Sequence, residues 1–125
     1  MLKLVFNIRR RRDIEPEEFY RYWKDEHGPL VRSVAETLGI RRYVQSHTID
    51  TPINDALRAS RDTEPCYDGV AELWWDSVDD FVGRLADPAA QAASAALLDD
   101  ERKFIDLAAT SIFLTEEHEI IALPA

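Results

Sequence analysis

A single cysteine, Cys66, excludes an internal disulfide framework and a cysteine-built metal cluster within one chain. With only four glycines there is no Gly-rich phosphate loop, and neither a Gly-x-Ser-x-Gly elbow nor a dinucleotide fingerprint occurs. These absences predict chemistry that needs no cofactor. No apolar run approaches the roughly 20 residues of a membrane span. The N-terminus turns polar at Asn7 before the apolar core of a signal peptide develops. The expectation is a soluble, cytoplasmic protein without a membrane partner. Histidine is scarce as well: His27, His47 and His118 are scattered without ligand spacing. His118 lies between Glu117 and Glu119, but no metal site is expected.

Positive charge is also in short supply. A net charge of -9 argues against nucleic acid as a partner. Its distribution is uneven, with ten Lys/Arg and seven Asp/Glu in residues 1–42 against five and seventeen in residues 43–125. The run Arg9-Arg10-Arg11-Arg12 reads as a solvated strand end and turn, or as a place where one or two guanidinium forks hold a carboxylate. Arg9 is the candidate for that role.

What remains is an ordinary globular composition, 46% hydrophobic and 31% charged. It fits one domain over residues 1–125, burying roughly two-thirds of its unfolded surface. Leu2, Leu4, Phe6 and Ile8 alternate with Lys3, Val5, Asn7 and Arg9, the period of a strand with one apolar face. Pro16 suits a first helical position, and Glu17 and Glu18 suit the positive end of its dipole. That helix is expected to run to about Glu26 and to be interrupted by Gly28-Pro29. A helical period resumes at Leu30 and stops at Gly39. A second strand is predicted from Ile40 to Ile49, with Tyr43, Gln45 and His47 on one face. Residues 50–68 have no clear period and predict a long loop with at most a short turn near Leu57. Gly69 to Asp76 is a third strand. Ser77 caps a helix over 78–86, Asp87-Pro88 restarts one through about Leu98, and a charged connector leads to a fourth strand over 110–115.

The order β-α-β-β-α-β predicts an α+β, ferredoxin-like sandwich. One sheet face would stay bare, and by alternation Val5, Tyr43 and Trp74 are placed on it. A second copy of the chain closing over that face would make a barrel.

The most informative segment is Phe19-Tyr20-Arg21-Tyr22-Trp23-Lys24-Asp25-Glu26-His27-Gly28-Pro29. Phe19, Trp23 and His27 are four apart and share one helix stripe. An imidazole ending an aromatic stripe is either a packed core residue or a working acid/base. With the tyrosine-bearing strand Ile40-Arg41-Arg42-Tyr43-Val44-Gln45 and the late Asp100-Glu101-Arg102-Lys103-Phe104-Ile105-Asp106, this segment resembles the EthD family of dimeric α/β-barrel proteins. The resemblance implies a ferredoxin-like homodimer. It also implies a setting of ether degradation or polyketide-type aromatic chemistry, decarboxylation included.

His27 is therefore the catalytic candidate, a general acid/base that titrates near neutrality. Tyr43 and His47 line a pocket if their face points into the barrel, and are core and rim residues if it points toward the helices. Glu72 is a base candidate if burial raises its pKa, and a solvated or arginine-paired carboxylate otherwise. Trp23, Trp74 and Trp75 are packing residues or stacking surfaces for a flat substrate. The expected ligand is a mostly apolar small molecule bearing a carbonyl or phenol. The expected reaction is a cofactor-free lyase, decarboxylation or isomerisation step. Its rivals are a non-catalytic binding protein and a cofactor-free oxygenase.

Overall fold

The computed structural model describes residues 1–124. Strand β1 (Leu2–Ile8) leads into helix α1 (Pro16–Tyr22), a π-helical segment (Trp23–His27) and helix α2 (Gly28–Leu38). Strand β2 (Arg42–His47), helix α3 (Pro52–Arg61) and strand β3 (Gly69–Trp75) follow. Helices α4 (Val78–Leu85) and α5 (Pro88–Glu101), a 3₁₀ turn (Leu107–Ala109) and strand β4 (Ser111–Glu116) complete the order. The four strands form one antiparallel sheet in the order β2-β3-β1-β4, the ferredoxin-like arrangement.

Three local expectations change. The Gly28-Pro29 pair does not interrupt the helix; the chain stays helical from Pro16 to Leu38 through the wide π turn. Pro29 has no N–H, and its ring crowds the carbonyl four residues back, which a wider turn accommodates. The Gly28 N–H bonds the Trp23 carbonyl, five residues back, instead. Residues 52–61 form a ten-residue helix where a loop was expected, capped by the Thr51 hydroxyl accepting from the Ile53 N–H. Ile53, Ala56 and Leu57 stand at helical spacing on it, but no residue of this helix is buried. Helix α5 extends to Glu101, into the expected connector, and Asp87 forms no side-chain cap at its start. Gly39 ends α2 as expected, at φ +76°, where a Cβ would also press against Asp80 Oδ2 at 2.9 Å.

Strand register corrects one placement. Tyr43 pairs with Leu73, which pairs with Leu4, so all three share the helix-covered face. Tyr43 therefore does not join Val5 and Trp74 on the open face. The core under the helices is Phe6, Ile8, Phe19, Trp23, Ala71, Phe104 and Ile105. Gly69 lets the Trp23 indole lie on the sheet: a Cβ there would come within 2.5 Å of Trp23 Cζ3. Val5 and Phe113 pair with each other on the open side, where Phe113 is 47% exposed.

Candidate functional site

The aromatic stripe is buried to its last member: Phe19, Trp23 and His27 are 0%, 1% and 5% exposed. His27 Nδ1 lies 2.7 Å from Asp100 Oδ2, and Asp100 Oδ1 accepts from the Tyr22 hydroxyl at 2.5 Å. Tyr22 and His27 bracket the π turn, and α5 brings Asp100 to them from 73 residues away in the case of His27. With Asp100 accepting the Nδ1 proton, Nε2 is left with its lone pair. Burial lowers the His27 pKa below its ordinary value, and the Asp100 hydrogen bond only partly opposes this. Neutral imidazole is thus the resting form, poised as a base. Asp100, despite its burial, is held below the usual carboxylate range by hydrogen bonds from Tyr22 and His27. The Tyr22 phenol is pushed up to about 12, chiefly by burial and then by Asp100.

His27 lines a small cavity of about 40 Å³ together with Trp23, Tyr43, Leu97 and Glu101. A much larger cleft of about 520 Å³ lies between the sheet and α4–α5, walled by Leu4, Phe6, Leu73, Trp75, Phe81 and Leu97. Its volume falls within the range of small-molecule sites, and its walls are mostly apolar. Phe6, Leu73, Leu97 and Glu101 line both spaces, so the cleft borders the histidine cavity. Burial, and then the neighbouring Asp100 charge, raise the Glu101 pKa to about 7. Two adjacent residues of α5 thus hold their protons very differently. Titratable groups pushed apart in one cavity are a recurrent acid/base signature.

Glu101 and Asp100 were not among the sequence candidates, although both stand in the Asp100–Asp106 motif. Of the candidates, the structure brings His27, Trp23 and Tyr43 to the small cavity. His47 packs flat against Trp23, with ring centroids 4.4 Å apart, and its Nε2 meets Gln45 Oε1 at 2.8 Å. Gln45 Nε2 donates to the Tyr43 hydroxyl and to the Trp23 carbonyl, both at 2.8 Å. These contacts fix the aromatic wall behind the cavity. Glu72, Trp74 and Arg9 lie elsewhere. Glu72 is on the open face, 2.6 Å from Lys3 Nζ. Trp74 shares that face, under the Arg42 guanidinium at 4.6 Å. Arg9 stacks over Tyr67 at 4.2 Å and donates to the carbonyls of Pro65 and Cys66, which secures the loop before β3. Among the described residues, no group of three His, Cys, Asp or Glu side chains converges as a metal site would require.

Comparison with known proteins follows the same lines. The family model described as the EthD domain matches residues 11–108. Among solved structures, the chain is similar to an ethyl tert-butyl ether degradation (EthD) family protein from Bacillus halodurans. The TM-score is 0.62 at 17% identity, over 94% of this chain and 99% of that one. A dimeric protein of unknown function and ferredoxin-like fold from Bacteroides fragilis matches with TM-score 0.57 and 12% identity, over 93% and 95%. SnoaB, a cofactor-independent oxygenase from Streptomyces nogalater, matches with TM-score 0.56 and 17% identity, over 99% and 97%. No curated protein matches the chain significantly.

Proposed function

The chain belongs to the EthD family, and from that premise we propose that it is a cofactor-independent enzyme. It transfers a proton on a mostly apolar metabolite bearing a carbonyl or phenol. The observation that carries this reading is the buried Tyr22–Asp100–His27 chain ending on a cavity shared with protonatable Glu101. The apolar cleft holds the body of the substrate and its carbonyl reaches Glu101. His27 Nε2 takes a proton from the carbon beside the carbonyl, and Asp100 stabilises the imidazolium that forms. Glu101, protonated at its raised pKa, gives its proton to the carbonyl oxygen, so that an enol results without a free enolate. Return of the proton to another carbon is isomerisation; departure of CO2 from a carboxylate on that carbon, its bonding pair staying behind to form the enol, is decarboxylation.

The test is solvent exchange. With a cyclic aryl ketone in deuterated water, the protein should catalyse deuterium uptake at the carbon beside the carbonyl. His27→Ala should slow that uptake by about 10² to 10⁴ while leaving the fold intact. A protein that returns the ketone unlabelled, or a variant with full exchange, rejects the reading in favour of simple binding. A second reading, dioxygen chemistry, is supported by the likeness to SnoaB, whose fold hosts a cofactor-independent oxygenase. Product formation that stops without dioxygen would single it out.

We infer further that the open sheet face meets a second copy of the chain, since Val5, Val44, Val70 and Phe113 lie on it around the Lys3–Glu72 ion pair. Phe113→Glu should then convert a dimer into a monomer in sedimentation velocity; an unchanged profile rejects the arrangement.

A further inference from the structure

A second basin, of about 390 Å³, lies where α2 meets the edge of β2. Its lining includes Lys24, Arg32, Arg41 and Arg42, and no carboxylate. In a chain of net charge -9, four cations gathered around one concavity run against the overall field. They are not equally committed. Arg41 reaches Asp76 at 3.5 Å, in a pair that is exposed on both sides. The Arg42 guanidinium is stacked on Trp74. Neither Lys24 nor Arg32 makes an ion pair among the described residues, and both are exposed at the rim. The floor is different in kind: Val31 and Tyr43 line the basin and also line the His27 cavity. Those two side chains are the partition between a cationic rim and the imidazole.

We propose that this basin binds the anionic end of the substrate, so that the metabolite is an organic carboxylate with a flat apolar body. The proposal rests on the acid/base reading of the His27 cavity and adds the charge of the molecule that reaches it. The Arg32 fork suits a planar carboxylate, with Lys24 as a second point charge. The carboxylate is held at the rim, and the apolar body passes over Ile40, which lines both this basin and the large cleft. The rest of the acidic surface turns other anions away, so the basin is where such a substrate first finds attraction.

The experiment is calorimetric titration with 2-naphthoate and with its neutral isostere 2-naphthamide. At low salt the carboxylate should bind about tenfold tighter than the amide, the scale of one charge-assisted contact. High salt should narrow the difference. Lys24→Glu/Arg32→Glu should erase the preference, leaving amide affinity and circular dichroism unchanged, and Arg32→Lys should keep part of it. Equal affinities in the natural protein, absence of binding by either compound, or a preference that survives the double reversal would each overturn the proposal. His27→Ala should retain the preference, because the rim does not include the imidazole. Lost exchange in that variant therefore reports on the acid/base reading, and lost preference in the reversal reports on the basin.

Discussion

The two faces of the sheet each hold a glutamate beside a tryptophan-bearing layer, and they treat it in opposite ways. On the open face Glu72 is neutralised by Lys3 at 2.6 Å, and both side chains keep partial access to water. Under the helices Glu101 has Asp100 for a neighbour, and burial drives its pKa to about 7. One arrangement relaxes a charge; the other withholds every means of relaxing it. A carboxylate left unpaired beside a cavity stores reactivity, whereas one paired at an outer surface contributes little beyond local order.

The covered face should break first. Asp100→Asn leaves one acceptor oxygen for two donors, Tyr22 and His27, so the His27 tautomer is no longer fixed, and deuterium exchange should fall by about 10² to 10⁴ with the fold retained. Exchange at the natural rate would mean that the dyad is only packing. Glu101→Gln sharpens the comparison through pH. Glu101 is raised in the folded state, so the native protein keeps a proton that the unfolded chain gives up between about pH 4.5 and 7. Its contribution to stability is present at acid pH and disappears as pH rises through 7. Urea unfolding should show the natural protein losing roughly 2 kcal/mol from this group across that window, a figure discounted for its partial exposure, and the glutamine variant losing none of it. A glutamine variant with the same pH slope would place Glu101 in water. Glu72→Gln, on the open face, should change stability by less than about 1 kcal/mol, measured in the same way.

Much of the fold was legible along the chain because alternation and capping are local. Leu2–Ile8 announced a strand, Pro16 and Ser77 announced helix starts, and Gly39 announced a stop. Strand parity was legible too, but parity does not say which face is covered, and so Tyr43 went to the wrong side. Helix α3 was missed because its brief apolar period, Ile53, Ala56 and Leu57, sits among Pro52, Asn54 and Pro65, which read as loop residues. The site divided along the same line. His27 stood out from its own stripe, whereas Asp100 and Glu101 looked like a solvated connector. Their burial comes from Tyr22, His27 and the sheet, contacts that span most of the chain.

The wide turn at Trp23–His27 has a consequence for how this protein tolerates insertions and deletions. A π turn holds one residue more than the α-helical path it replaces. Excising Lys24 would let the rod close to regular geometry with its two ends still in the same relative orientation, because the π turn already absorbs that residue. Phe19 and the imidazole would keep a common face, but the Pro29 ring would meet the carbonyl four residues back, the clash that the wide turn avoids. One codon lost in that stretch should therefore cost the rod about 3 kcal/mol at Pro29 rather than redirect its aromatic stripe.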